Sequence, residues 1–205
     1  MEAQVKIVTL IHAADIAPQR WRNGGGWTRE LLTWPAGNPA WQLRISLATI
    51  NAPGPFSTYP GVKRVLALVS GAGLLLTVDG HQHRLVPDSD PLHFDGSAVV
   101  HALPLAGASS DLNLMTASGH GELLRAASAV AWLSAAAQRG LYSGVAGTLY
   151  AGAGTAGADT ASAPLAVPAH SLVWLSQADN LPLYFVPAAA SPTTPAWWLG
   201  YSPSA

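Results

Sequence analysis

Glycine and proline interrupt this chain so often that long helices have little room to form. The 205 residues include 20 glycines and 16 prolines spread from end to end. Few stretches keep a helical period of apolar residues for more than about ten positions. Between the interruptions lie short apolar segments, many of them alternating, which is the pattern of many closely spaced strands. The chain is therefore expected to be all-β, a barrel or a sandwich.

Val5–Ile11 reads as a first strand and Glu30–Trp34 as a second. In Trp41–Ile50, Trp41, Leu43, Ile45 and Leu47 share one face, while Gln42, Arg44 and Ser46 share the other. Val62–Asp79 reads as two strands joined at Ser70-Gly71-Ala72-Gly73, and Asp79-Gly80 is a tight-turn signal leading into His81–Val86. Leu92–Phe94, Ala98–Leu105 and Leu112–Thr116 continue the series. Glu122–Ala137, rich in Ala and Leu, reads as a helix that Gly140 stops. Further strands are expected at Gly144–Ala151, His170–Leu175 and Pro182–Val186, with a Gly/Ala/Thr/Ser loop over Ala151–Ala163. From Ala126 onward the only charges are Arg139, Asp159 and Asp179. So weakly charged a half is expected to pack on the first or to lie in a homodimer interface. The expected division is residues 1–120 and 121–205.

Composition excludes several classes of function. Hydrophobic residues make up 49% and charged residues 10%, the reverse of a disordered chain. The formal net charge is -1, and the only lysines are Lys6 and Lys63, so no field draws the chain to nucleic acid or to an anionic membrane. Without cysteine there is no disulfide, no thiolate zinc site and no thiol nucleophile. Glu2 stands early and no basic segment precedes an apolar one, so the start does not read as a signal peptide. No apolar run approaches the about 20 residues that cross a bilayer. A cytoplasmic location is expected.

Three motifs bear on chemistry, and a fourth is missing. Gly152-Ala-Gly-Thr-Ala-Gly157 matches a dinucleotide-binding turn, but Pro164 soon follows and no helix opens there, so the match is rejected. His81 and His83 share one strand face, and with His93 they would make a three-histidine metal site. A solvated hairpin edge after Asp79-Gly80 explains them more simply. No Gly-x-Ser-x-Gly elbow occurs. In Trp21–Glu30, Gly24, Gly25 and Gly26 either form a tight turn around core tryptophans (Trp21 and Trp27) or expose amides as an anion-binding concavity beside Asn23.

Two arginines are sharper. Arg44 stands mid-strand with Gln42 and Ser46, and Arg64 shares a face with Leu66 and Leu68. If that face points inward, each needs an anionic partner, from the protein or from a ligand. Asp111 and Asn113, at i and i+2, are candidates for that protein partner or for holding a ligand's amine.

The strings WRNGGGWTREL (from Trp21), WQLRISLATINAPGPFSTYPGVKRVLALVSGAG (from Trp41) and DLNLM (from Asp111) carry a resemblance to the HutD/Ves family. It covers most of residues 20–116 and fades beyond about residue 120. The resemblance implies a cupin (RmlC-like jelly-roll) barrel and, as a bicupin, a second, reduced barrel packed on the first. Metal cupins carry G-x5-H-x-H-x3,4-E-x6-G; here Pro55–Gly71 stands in the equivalent region. Arg64 falls at the spacing of the glutamate ligand, and Ser57, Thr58, Tyr59 and Pro60 stand where the histidines would be. A guanidinium repels a cation, so an anion is the expected occupant. The candidate ligand-binding residues are Trp21, Asn23, Gly24, Gly25, Arg44, Ser46, Phe56, Ser57, Arg64, Asp111 and Asn113.

The function this implies is a sensor or buffering protein for a small carboxylate linked to histidine catabolism, with no cofactor. The alternative is a metal-independent isomerase or hydrolase using His101, Asp111 or Tyr59 for proton transfer. A homodimeric structural module is a third reading. The purified protein is expected to hold no stoichiometric transition metal. Elemental analysis finding one zinc, iron or manganese per chain, lost on replacing His81 or His83, would contradict this.

Overall fold

The computed structural model describes residues 8–152, 163–176, 181–189 and 196–204. The Gly152–Gly157 motif beyond its first residue, most of the Ala151–Ala163 loop, Asp159, Asp179 and the start of Val5–Ile11 lie outside the described residues. Strand β1 (Val8–His12) precedes a single 3-10 turn at Ala13–Asp15. Then follow β2 (Gln19–Arg20), β3 (Gly26–Trp34), β4 (Leu43–Ile50), β5 (Gly54–Pro55), β6 (Lys63–Ser70) and β7 (Leu74–Val78). Next come β8 (His81–Leu85), β9 (Leu92–Asp95), β10 (Val100–Pro104), β11 (Ser109–Thr116) and β12 (His120–Arg125). The last are β13 (Gln138–Ser143), β14 (Gly147–Ala151), β15 (Leu165–Val167), β16 (Ser171–Leu175), β17 (Leu183–Pro187) and β18 (Ala196–Ser202). Among the described residues, no helix is long and apolar enough to cross a membrane.

Two compact units emerge. Ala13–Leu123 form one, and Leu124–Ser202 form the other, which also takes the N-terminal segment through His12. The expected 1–120 and 121–205 division differs most at the start of the chain. There β1 runs antiparallel to β16, from Val8 opposite Leu175 to His12 opposite Ser171. An edge strand joins whichever sheet offers it backbone partners, and such long-range pairing leaves no local trace.

In the Ala13–Leu123 unit a six-stranded sheet, order β2-β3-β4-β11-β6-β9, faces a four-stranded sheet, order β5-β10-β7-β8. Ile50, Leu66 and Leu68 from the first sheet meet Leu74, Leu76, Leu85, Val100 and Ala102 from the second in one core. The two sheets are not hydrogen-bonded into a closed ring, so the expected barrel is an open two-sheet jelly roll. Asp79 (φ 47°) and Gly80 (φ 85°) make the two-residue turn of the β7–β8 hairpin. At Ser70–Gly73 the chain changes sheets instead of making a hairpin. Gly71 is required there because its φ is +99° and a Cβ would lie 2.6 Å from Ser109 Oγ and 2.7 Å from the Ala108 carbonyl oxygen.

In the second unit β1, β16, β13 and β18 form one sheet in that order, and β15, β14 and β17 form another. Leu141, Val173, Leu175, Leu149, Leu183, Phe185 and Trp198 are buried together between them. Trp132 stacks on Trp198 at 5.1 Å between ring centroids.

The expected Glu122–Ala137 helix is absent. His120–Arg125 is strand β12, and the residues after it run as turns with one bridge, Trp132 to Leu183. Backbone groups there bond to other strands: Ala126 N–H to the Ala196 carbonyl, Ala129 N–H to Phe185, and Trp132 and Leu183 to each other. Helix preference amounts to only tenths of a kcal/mol per residue, and burial of Ala126 and Trp132 overrides it. Gly140 is therefore no helix stop but mid-strand in β13, opposite Trp174. A Cβ at Gly140 would lie 2.5 Å from the Trp174 ring and 2.7 Å from the Val173 carbonyl oxygen. Strand β18 carried no expectation, since Ala196–Ser202 lacks clean alternation.

Gly140→Ala should destabilise the protein by about 1–3 kcal/mol through overpacking. Urea unfolding followed by tryptophan fluorescence measures it, and an unchanged midpoint would show that Trp174 can yield.

Candidate functional site

The six-stranded sheet holds the site because its central strand alternates. β11 is hydrogen-bonded to β4 on one side and to β6 on the other. Its inward residues Asp111, Asn113 and Met115 therefore stand in rows with those of its neighbours. Met115 lies between Arg44 and Arg64, Asn113 between Ser46 and Leu66, and Asp111 between Ala48 and Leu68. The polar part of this face lines a cavity of about 600 Å³, within the range of small-molecule sites.

Trp21, Asn23, Arg44, Ser46, Phe56, Ser57, Arg64, Asp111 and Asn113 all line this cavity. Gly24 and Gly25 do not. Their role is structural: Gly24 has φ +73°, and buried Gly25 gives its N–H to Asn23 Oδ1 at 3.0 Å. The Gly25 carbonyl accepts from Asn51 N–H at 2.9 Å. Gly26 is needed because a Cβ would lie 2.4 Å from the Thr49 carbonyl oxygen. The triplet is thus a tight turn and offers no anion-binding concavity. Trp27, read as core beside it, is 38% exposed, with the Arg20 guanidinium 5.6 Å over its ring. Trp21 packs edge-on against Phe56 at 5.8 Å and donates Nε1–H to Thr28 Oγ1 at 2.7 Å.

Gln19, Arg20, Arg22, Thr28, Ala48, Pro55 and Met115 also line the cavity without having been candidates, and so does Tyr59, a candidate for proton transfer that stands where a metal cupin's histidines would be. Parity was the available signal for three of these residues. Ala48 shares a face with Arg44 and Ser46, Met115 with Asp111 and Asn113, and Thr28 stands across from Ala48.

Arg44 finds its anion in Glu30 of β3, with Nε 2.7 Å from Oε2, while Nη1 reaches Met115 Sδ at 3.6 Å. Asp111 is not its partner. It stands four positions along β11 from Met115, the residue opposite both arginines, and its carboxylate bonds to neither of them. Arg64 is buried, 5% exposed, with its guanidinium 4.8 Å from the Phe94 ring centroid, 5.3 Å from Phe56 and 5.8 Å from Tyr59. Nη1 donates a long bond, 3.3 Å, to the Ser57 carbonyl, and Nε has no partner. Burial lowers its pKa to about 10, so it stays charged at neutral pH.

Asp111 is 1% exposed, and neither carboxylate oxygen has a hydrogen-bond partner. Burial pushes its pKa up to about 7, against the pull of the Arg64 charge. Asn113 Oδ1 is likewise buried and unpartnered. The residues in the region equivalent to a metal cupin's ligand set do not fit a cation, because Arg64 presents a positive charge there. His81 and His83 stand on edge strand β8, His93 on the other sheet, and His101 is exposed on β10. Among the described residues, no three His, Cys, Asp or Glu side chains gather.

Comparison with known proteins places this geometry. The HutD family model matches residues 13–190. An uncharacterized 21.2 kDa protein in the hutC 3′ region of Pseudomonas putida is 36% identical over 109 residues, 53% of this chain and 57% of that protein. The chain thus aligns with little more than half the length of this relative. HutD from Pseudomonas fluorescens SBW25 superposes with a TM-score of 0.78 at 23% identity, covering 97% of this chain and 100% of that one. A conserved protein of unknown function from Pseudomonas aeruginosa PAO1 gives 0.77 at 23% identity over 95% and 98%. A mutant oxalate decarboxylase of Bacillus subtilis gives 0.62 at 8% identity over 99% and 79%. These structural likenesses speak for the fold, which is the cupin jelly roll that the resemblance implies.

Asp111 makes stability pH-dependent. Its folded pKa of about 7 lies above the unfolded value of about 3.9. The fold therefore retains a proton that the unfolded chain releases between these limits. The stability present below pH 4 is lost as pH rises through 7. The charged and titratable groups lining the same cavity are Arg20, Arg22, Arg44, Tyr59 and Arg64, with Glu30 on Arg44. Asp111→Asn should remove this component, gaining on the wild type by up to about 4 kcal/mol between pH 5 and 8. Urea midpoints across that range test it, and parallel pH curves for the two proteins would refute it.

Proposed function

The chain belongs to the HutD family, and on that premise we propose that it is a metal-free, cytoplasmic small-molecule-binding protein, a sensor or buffer, tied to histidine utilisation. The proposed ligand is a small carboxylate held in the cavity of the Ala13–Leu123 unit. The observation that carries this reading is Arg64. A guanidinium buried among three aromatic rings, with one long hydrogen bond and a bare Nε, is incompletely paired. Removing a cation from water is costly unless an anion returns the lost interaction. A carboxylate does so well, since it accepts two parallel bonds from the guanidinium fork. Arg44, engaged by Glu30 through Nε, lies in the same row across Met115 and adds positive potential. Trp21 and Phe56 supply an apolar wall.

A second reading keeps some support. Asp111, its pKa near 7, and Tyr59 line the same cavity, and such a carboxyl suits general acid–base work in a metal-independent enzyme. His101, the other proton-transfer candidate, is exposed on β10 and does not line the cavity. Sensor and enzyme separate on turnover. A bound carboxylate recovered unchanged supports the sensor, and its conversion supports the enzyme.

Arg64→Met should leave the ligand-free melting temperature unchanged or higher, because an apolar side chain of similar length replaces a poorly paired buried charge. It should weaken carboxylate binding by about 2–5 kcal/mol. A thermal-shift series with urocanate and formylglutamate on both proteins measures this. An unstable variant, with no carboxylate response in the wild type, would assign Arg64 to structure alone.

A further inference from the structure

The carboxylate proposal leaves the acceptor groups of the cavity without a partner. Asp111 and Asn113 stand at i and i+2 on β11, facing the same space as Arg64. Three buried acceptor atoms gather there, Asp111 Oδ1, Asp111 Oδ2 and Asn113 Oδ1, and none has a hydrogen-bond donor. Ser46, directly opposite Asn113, does not bond it. Buried polar atoms are nearly always satisfied, and a cluster of bare acceptors invites donors from a ligand. An anion alone cannot serve it, because a second negative charge would be repelled by Asp111. Arg64, opposite Met115, is two positions beyond Asn113 and four beyond Asp111 in the ladder, so the cationic and the acceptor groups line neighbouring parts of one cavity.

We propose that the ligand is bipolar, with its carboxylate at Arg64 and an N–H donor, from a protonated amine or a nitrogen heterocycle, at Asp111 and Asn113. This rests on the carboxylate reading and narrows it to a chemical class. The Asp111–Asn113 pair becomes the specificity determinant, because a site built to bond N–H rejects an analogue that lacks it.

Matched probes test the proposal by calorimetry on the full chain. Urocanate is compared with 3-(2-furyl)acrylate, and γ-aminobutyrate with butyrate; each pair shares a carboxylate and differs in the N–H. Imidazole supplies N–H without carboxylate. In at least one pair the N–H member should bind the wild type roughly ten- to a hundredfold more tightly, as for a hydrogen bond to a charged acceptor. Asp111→Asn should bring that ratio near one, with furylacrylate and butyrate binding as tightly as to the wild type or more tightly once the buried negative charge is gone. Equal binding within both wild-type pairs would overturn the bipolar ligand and leave the carboxylate reading standing. Imidazole binding as tightly as urocanate, insensitive to Arg64→Met, would sink the carboxylate reading and with it the bipolar one. Binding by none of the five probes would overturn both.

Discussion

The central strand β11 is bonded on both edges, and the site depends on that constraint. With β4 on one side and β6 on the other, its backbone groups are spent on the two ladders and its side chains can only alternate. Leu112 and Leu114 go to one face, fully buried, while Asp111, Asn113 and Met115 go to the other. A slip by one residue would drive the carboxylate into the apolar face and expose leucine to the cavity. The register that makes a good core is thus the register that assembles the polar rows.

Those rows are held at an energetic cost. Asp111, Asn113 and Arg64 are all buried, yet their bonding is incomplete, and such groups oppose folding. Leu66, Leu68, Leu74, Leu76 and Leu85, packed in the same unit, offset this through apolar burial. Phe56, Tyr59 and Phe94 soften the burial of Arg64, since ring faces attract a cation by about 0.5–2 kcal/mol each. A site that opposes local stability while the rest of its unit is well packed is the usual arrangement where function sets the side chains. The same burial that excludes water from Arg64 removes the competing solvent a carboxylate would otherwise prefer.

Strands with clean alternation or a defined turn were legible. Trp41–Ile50 revealed both its inward arginine and its apolar outer face, and Asp79-Gly80 revealed a hairpin. Glu122–Ala137 misled because its alanines advertise a helix while the carbonyls of Ala196, Phe185 and Leu183 bind its backbone. Much of the cavity was likewise visible, through strand parity and the Gly-Pro-Phe-Ser segment. The misassigned parts were Gly24 and Gly25, whose conformational freedom serves the turn, and the partner of Arg44. Glu30 reaches that arginine diagonally across the β3–β4 ladder, from its place opposite Ser46.

Residue order alone determined that this chain is β-rich, that it cannot form disulfides, and that Arg44, Arg64, Asp111 and Asn113 share the parity of a polar inward face. Parity is a property of the backbone repeat, so it survives without knowledge of the neighbours. Which sheet takes the N-terminal strand, that Glu30 occupies Arg44, and that Asp111 is left without a donor were decided only by tertiary structure. Each depends on pairing between segments far apart in sequence, and the hydrogen bonds and burial that select such pairings exist only once the sheets have met.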